Sequence, residues 1–269
     1  MADLLAGSGV HPSRALGQNF LADPNTARRI ARLAGLDAAD RVVEIGAGVG
    51  CLTLALAETG ASVTAIEVDR RLVPLLRRVV GGAAVEVVEG DATTLDWTGL
   101  LEGGGRWVLV ANLPYNVATP LVADLLDSVA AVDRMLVMVQ REVGERLAAG
   151  PGAPAYGAVS VKVAYWAEAH VVGRVPPTVF LPRPKVESVL VSIRRRGAPA
   201  VDPLSVSAGQ LFSLVRAGFA QRRKMLRRCL SGLVSDEVWA SAGVDPQARA
   251  EDLAVGDWGR LAAAVADAQ

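Results

Sequence analysis

The sequence predicts an α/β domain, a mainly parallel sheet with helices on both faces, followed by a small C-terminal helical domain. Three observations carry this. From residue 41 onward, short Val/Ile-rich runs alternate with amphipathic segments, as when strands feed crossover helices into a parallel sheet. The first of these runs ends on a loop of alternating glycines that opens a helix. Beyond a Gly/Ala/Pro break at residues 197–203 the remaining patterns are helical.

The elements follow in order. Asp23-Pro24 supplies a cap and a first-turn proline for a helix running through Ala34. Residues 41–45 form a first strand, ending at Gly46-Ala47-Gly48-Val49-Gly50, and residues 52–59 a helix. A second strand covers 62–67, a helix 70–80 and a third strand 84–89. The fourth strand, 107–111, runs into Asn112-Leu113-Pro114-Tyr115; a helical stretch at 121–126 and a fifth strand at 135–139 follow. Residues 158–166 suit a strand or a buried helix equally, whereas 186–193 alternate as a strand does. The break at 197–203 reads as a linker, giving domains 1–197 and 198–269, the second with helices at 211–230 and 252–266.

Bulk properties narrow the function. A chain of 269 residues, 51% hydrophobic and 21% charged, suits one ordinary domain with an appendage and excludes global disorder. The 28 basic residues balance 28 acidic ones, which argues against coating nucleic acid by bulk charge but leaves room for a local basic face. Cys51 and Cys229 form no CxxC pattern and read as reduced thiols. With His11 and His170 the only histidines, a His-based triad or multi-His metal site is not expected. There is neither a signal-peptide pattern nor an apolar run of bilayer length, so the expectation is a cytoplasmic protein. Nothing calls for more than a monomer.

The glycine loop lets backbone approach a ligand closely, but nicotinamide and flavin enzymes use similar loops. Glu67, at the end of the second strand, can accept the hydroxyls of a ribose. Asp91, after the third strand, can take an adenine amine, or can simply cap a turn. Together Gly46, Gly48, Glu67 and Asp91 favour a nucleoside ligand without choosing which.

Asn112-Leu113-Pro114-Tyr115 narrows the choice. An exocyclic adenine amine is a poor nucleophile because its lone pair is delocalised into the ring. The Asn112 oxygen and a backbone carbonyl beside Pro114 can hold its two N–H groups and localise that pair. Pro114 stiffens the turn, and Tyr115 offers a flat stacking face. Such a site suits an in-line methyl displacement driven by positioning and electrostatics.

These residues resemble the KsgA-type family of ribosomal RNA adenine dimethyltransferases, from about residue 16 to residue 230. The motifs are Leu16-Gly17-Gln18-Asn19-Phe20-Leu21, the Glu44-to-Gly50 loop, Asn112 to Tyr115, residues 140–147, residues 179–188, and Phe219-Ala220-Gln221-Arg222-Arg223-Lys224. The resemblance implies a Rossmann-like class I methyltransferase sheet and S-adenosylmethionine as methyl donor. It also implies that Asn19 and Leu21 line the donor pocket with Gly46, Glu67, Asp91 and Asn112, and that Phe180 faces Tyr115 across the target base. The expected substrate is a pair of adjacent adenosines in the 3′-terminal hairpin of 16S rRNA, within the immature small subunit. The run Ser13-Arg14-Ala15-Leu16 departs from the basic or aromatic pair of many relatives, which puts RNA contacts from the N-terminal arm in question.

Arg216, Arg222, Arg223, Lys224, Arg227 and Arg228 carry no acid between them and, on one helix, would share much of one side, as a phosphate-contacting surface would. Arg194-Arg195-Arg196 can extend that patch or merely flank the linker. Arg28, Arg29 and Arg32 are further candidates, whereas Glu142, Arg146 and Lys185 read as structural. Rival readings are a large-subunit rRNA dimethyltransferase conferring antibiotic resistance, a DNA adenine methyltransferase, an NAD-dependent dehydrogenase, and an assembly factor acting mainly by binding. Leu113 in place of a second proline disfavours the DNA enzyme, and no hydride-transfer acid or base is evident for the dehydrogenase.

Overall fold

A computed structural model describes residues 9–13, 16–102, 106–115, 117–221 and 223–268. The chain forms two compact units: one holds the described residues through Gly144 together with His170–Arg195, the other Glu145–Ala169 and the described residues from Arg196 onward.

In the first unit, β1 (Phe20–Leu21) leads into α1 (Pro24–Ala34), whose Asp23 cap accepts from the Asn25 and Thr26 N–H groups. Gly35 ends α1 at φ 59°, the left-handed stop that glycine tolerates. There follow β2 (Arg41–Ile45), α2 (Cys51–Ala57), β3 (Ser62–Glu67), α3 (Val73–Val79), β4 (Val85–Glu89) and α4 (Trp97–Leu100). Then come β5 (Trp107–Asn112), α5 (Ala118–Ser128), β6 (Val132–Gln140) and α6 (Arg141–Leu147). After α7 (Ala158–Trp166) the chain forms β7 (Ala167–Val175), β8 (Phe180–Leu181) and β9 (Ser188–Arg195).

Seven strands order as β4-β3-β2-β5-β6-β9-β7. The pairs from β4 to β6 are parallel, and β9 runs antiparallel to β6. Strand order reverses at β2, which pairs β3 on one side and β5 on the other, so the loops leaving β2 and β5 flank the crevice where such sheets bind ligands. Four of the five β2 residues are buried, as expected of a strand covered on both faces. Val42, Val63, Val108 and Leu136 pack on one side with α1 and α2; Ala65 packs with Leu76 and Val80 of the α3 segment.

The second unit contains α7, α8 (Ala208–Phe219), α9 (Leu226–Cys229), α10 (Asp236–Ala242) and α11 (Val255–Asp267). Tyr156, Tyr165, Phe212, Trp239 and Trp258 centre its core. The Tyr165 ring meets Phe212 edge-on at 5.2 Å, and the Tyr156 hydroxyl donates to the Leu253 carbonyl at 2.9 Å. A single cut at 197/198 is therefore corrected. Residues 145–169 bury their aromatic side chains with the tail, and the helical alternative for 158–166 is the one realised.

The single helix expected over 211–230 is corrected too. The α8 helix stops at Phe219, and Met225 is extended at ψ 147° and bridges Arg249. The Leu226 and Arg227 N–H groups bond the Ala248 and Pro246 carbonyls, replacing helical partners with tertiary ones. Among the described residues, no helix is long and apolar enough to cross a membrane.

Candidate active site

Gly46, Gly48 and Gly50 all take positive φ, at 73°, 58° and 84°, which explains the alternating glycines. At Gly48 there is also a steric reason, since a Cβ there would sit 2.9 Å from the Phe20 ring. Register aligns Ile45 with Ala111, so the glycine loop and the Asn112 turn leave the sheet side by side.

Two adjoining clefts occupy this edge. Asn19, Gly48, Glu67, Asn112 and Tyr115 line the first. Asp91 lines the second with Ile45, Ile66 and Val68, a polar group among apolar walls that suits a purine. Gly46 and Pro114 border both.

Glu67 is buried, and each of its oxygens accepts one backbone bond, from Gly48 N–H at 2.7 Å and Asp69 N–H at 2.8 Å. A carboxylate has further lone pairs, so acceptor capacity for a ribose hydroxyl remains. Burial raises its pKa against these hydrogen bonds. Asp91 Oδ1 accepts from the Thr93 N–H and hydroxyl, so it shapes a turn and lines the cleft at once.

The Asn112 amide is oriented by its nitrogen, which donates to the Asn19 carbonyl at 2.9 Å and leaves the side-chain oxygen as acceptor. The carbonyl beside Pro114 also resolves. Pro114 O already accepts from the Val117 and Ala118 N–H groups, whereas among the described residues the Leu113 carbonyl has no such partner. The Tyr115 hydroxyl lies 2.9 Å from that of Ser188, and burial raises its pKa.

Not every expected residue reaches the clefts. Leu21 is buried and borders the glycine loop near Asn112. Phe180, 4% exposed, pairs with Leu21 across β1 and β8 and belongs to the buried cluster that holds Ala27, Val110, Met138 and Leu190. It lines neither cleft; the aromatic side chains that line the first are Phe20 and Tyr115.

The basic residues also sort themselves. Arg223, Lys224, Arg227 and Arg228 are exposed along the turn and short helix after α8, and Arg216 is exposed on α8 itself. Arg222 lies outside the described residues, as does Arg14. Arg195 is structural: its guanidinium donates to the Leu125, Leu126, Val129 and Val132 carbonyls, closing the C-terminal end of α5. Arg28 pairs with Glu58 at 2.8 Å, and Arg29 bonds the Arg174 carbonyl. Lys185 is exposed.

Three residues at the site carry no role that the sequence by itself reveals. Gln18 and Ser188 stand inside the resemblance motifs without one, and Asp69 follows Glu67 with no periodic signal; their partners are distant in sequence.

The family model described as Ribosomal RNA adenine dimethylase matches residues 11–267. A protein of Cutibacterium acnes named Ribosomal RNA small subunit methyltransferase A is 48% identical, over 97% of this chain and 91% of that one. One of the same name from Magnetococcus marinus is 47% identical, over 96% and 94%. Among solved structures, the 23S rRNA methyltransferase ErmE gives a TM-score of 0.72 at 26% identity, covering 92% of this chain and 100% of that one. A dimethyladenosine transferase from Plasmodium falciparum gives 0.76 at 23%, over 90% and 95%, a likeness of fold. Identity to the small-subunit proteins is well above that to the 23S enzyme, which disfavours the large-subunit alternative. With nearly the whole chain matched and relatives close to half identical, the chain belongs to the ribosomal RNA adenine dimethylase family.

Proposed function

We propose that this protein dimethylates the N6 amines of two adjacent adenosines in the 3′-terminal hairpin of small-subunit rRNA, acting as a cytoplasmic monomer on the immature subunit. The observation that carries this reading is the pairing of two features at the reversal point of the sheet. An amide oxygen from Asn112 and the Leu113 carbonyl, unpartnered among the described residues, stand beside a glycine loop with a buried carboxylate behind it.

The residues present suit S-adenosylmethionine. Gly46 and Gly48 give the backbone access, Glu67 accepts from the ribose, Asp91 takes the adenine, and Asn19 and Leu21 border the remainder. When bound, the donor supplies a methyl group made electrophilic by its sulfonium. The chain's own work is positional. Asn112 Oδ1 and the Leu113 carbonyl accept the two amine N–H bonds and draw the nitrogen lone pair out of conjugation. Pro114 holds the turn, and Tyr115 restores stacking to a base swung out of its helix. A once-methylated amine keeps one N–H, so the same acceptors serve a second transfer. The exposed cations Arg223, Lys224, Arg227 and Arg228, with Arg222, would contact RNA phosphates.

Mass mapping of small-subunit rRNA from cells with and without the protein tests this directly. Two neighbouring dimethyladenosines that vanish with the gene and return with the wild-type chain, but not with Asn112→Ala, are expected. An unmodified hairpin in both strains would overturn the reading.

A further inference from the structure

The hydrogen bonds along the first cleft form one continuous chain. Ser13 N–H donates to Gln18 Oε1 at 2.7 Å, and Gln18 N–H returns to the Ser13 carbonyl at 3.2 Å. Gln18 Nε2 then donates to Asp69 Oδ2 at 3.0 Å. Asp69 N–H donates to Glu67 Oε1, and Glu67 Oε2 accepts from Gly48 N–H. Three stretches distant in sequence are thus joined: the segment ahead of β1, the end of β3 and the glycine loop.

Neither amide end of Gln18 is idle. Its oxygen closes the segment on itself, and its nitrogen ties that segment to the sheet. Asp69 is only 6% exposed and is also held by Arg71, whose Nε lies 2.9 Å from Oδ1 and whose Nη2 lies 2.7 Å from Oδ2, the oxygen that also accepts from Gln18. The Arg71 guanidinium holds the Asp69 carboxyl down at about 2, so the bond from Gln18 is charge-assisted at any physiological pH. Leu16, Gly17, Gln18 itself and Asn19 line the same cleft as Glu67 and Gly48.

We propose that Gln18 and Asp69 are positioning residues for the methyl donor: they clasp residues 16–19 to the end of β3, keeping that wall over the cleft and Glu67 aligned with the glycine loop. This rests on the donor assignment above. The clasp acts on how tightly donor and spent product are held. The clasped segment also carries the Asn19 carbonyl that takes the Asn112 nitrogen at 2.9 Å, so the clasp acts first on donor affinity and only secondarily, through Asn19, on the aim of Asn112.

The test uses the full chain with Gln18→Leu, of similar size but without amide partners, and measures S-adenosylmethionine and S-adenosylhomocysteine affinity by equilibrium dialysis. About five- to tenfold weaker binding is expected, the scale of one hydrogen bond, with an equal rise in KM for the donor. The loss of donor affinity should exceed any fall in kcat at saturating donor, and KM for RNA should stay unchanged. Gln18→Glu, facing the ionised Asp69, should bind more weakly still. Adding Asp69→Asn to it exchanges the roles of amide and carboxylate and should recover part of the lost affinity, which general destabilisation would not do. Unchanged donor affinity in Gln18→Leu, or no recovery in the exchanged pair, would overturn the clasp while wild-type binding stands. A wild-type chain that binds neither compound would instead remove the donor assignment, and the clasp with it.

Discussion

The Tyr115 and Ser188 hydroxyls lie 2.9 Å apart, so the turn leaving β5 is pinned to the first residue of β9. Seventy-three residues separate them, and the bond fixes the plane of the Tyr115 ring. Tyr115→Phe keeps the ring and loses the pin, so methyl transfer should fall by less than about tenfold. Tyr115→Ala removes the stacking face and should cost roughly ten- to hundredfold. Single-turnover methylation alongside dialysis against the donor checks both. An equal loss of donor affinity would place Tyr115 in the wrong role.

Phe180 should behave differently, because its ring is core. Phe180→Ala is expected to lower unfolding stability by about 3–5 kcal/mol, the usual cost of emptying a buried aromatic site. Urea denaturation reads this. A variant as stable as wild type that nevertheless fails to methylate would show that the ring turns toward the base.

Glu44 gives a pH signature. It is 1% exposed, and burial raises its pKa to about 8. A carboxyl with a raised folded-state pKa stabilises the fold fully below its unfolded pKa, near 4.5, and that contribution is lost as pH rises through 8. Wild-type stability should therefore decline across that window, and Glu44→Gln should flatten the decline. Thermal unfolding from pH 5 to 8.5 checks it; parallel curves would show that Glu44 does not titrate there.

The exposed cations after α8 should act through phosphates. Charge reversal at Arg223 and Lys224 is expected to weaken RNA binding and make its dependence on salt shallower, by about one unit of slope for each phosphate no longer neutralised. Binding isotherms over a range of salt concentrations measure this. A slope identical to wild type would remove the turn from the RNA surface.

Much of the sheet was legible because parallel strands buried on both faces leave unbroken Val/Ile runs; the 41–45 and 62–67 strands stand where the pattern sets them. The cap at Asp23 was local chemistry as well. Side-chain periodicity could not reveal the break after Phe219, because Met225 to Arg227 exchange helical partners for Arg249, Ala248 and Pro246. The same holds for residues 145–169, whose aromatic side chains find their core only in the tail.

The sequence alone determined which groups are present at the strand ends: glycines where backbone must approach, carboxylates at Glu67 and Asp91, and an amide at Asn112. Tertiary structure decided how those groups are aimed. Asn19 takes the Asn112 nitrogen, Val117 and Ala118 occupy the Pro114 carbonyl, Ser188 holds Tyr115, and packing withdraws Phe180 into the core. The division has a physical basis. Residue type and local period are written along the chain, whereas a hydrogen bond's direction depends on partners that only folding brings within about 3 Å.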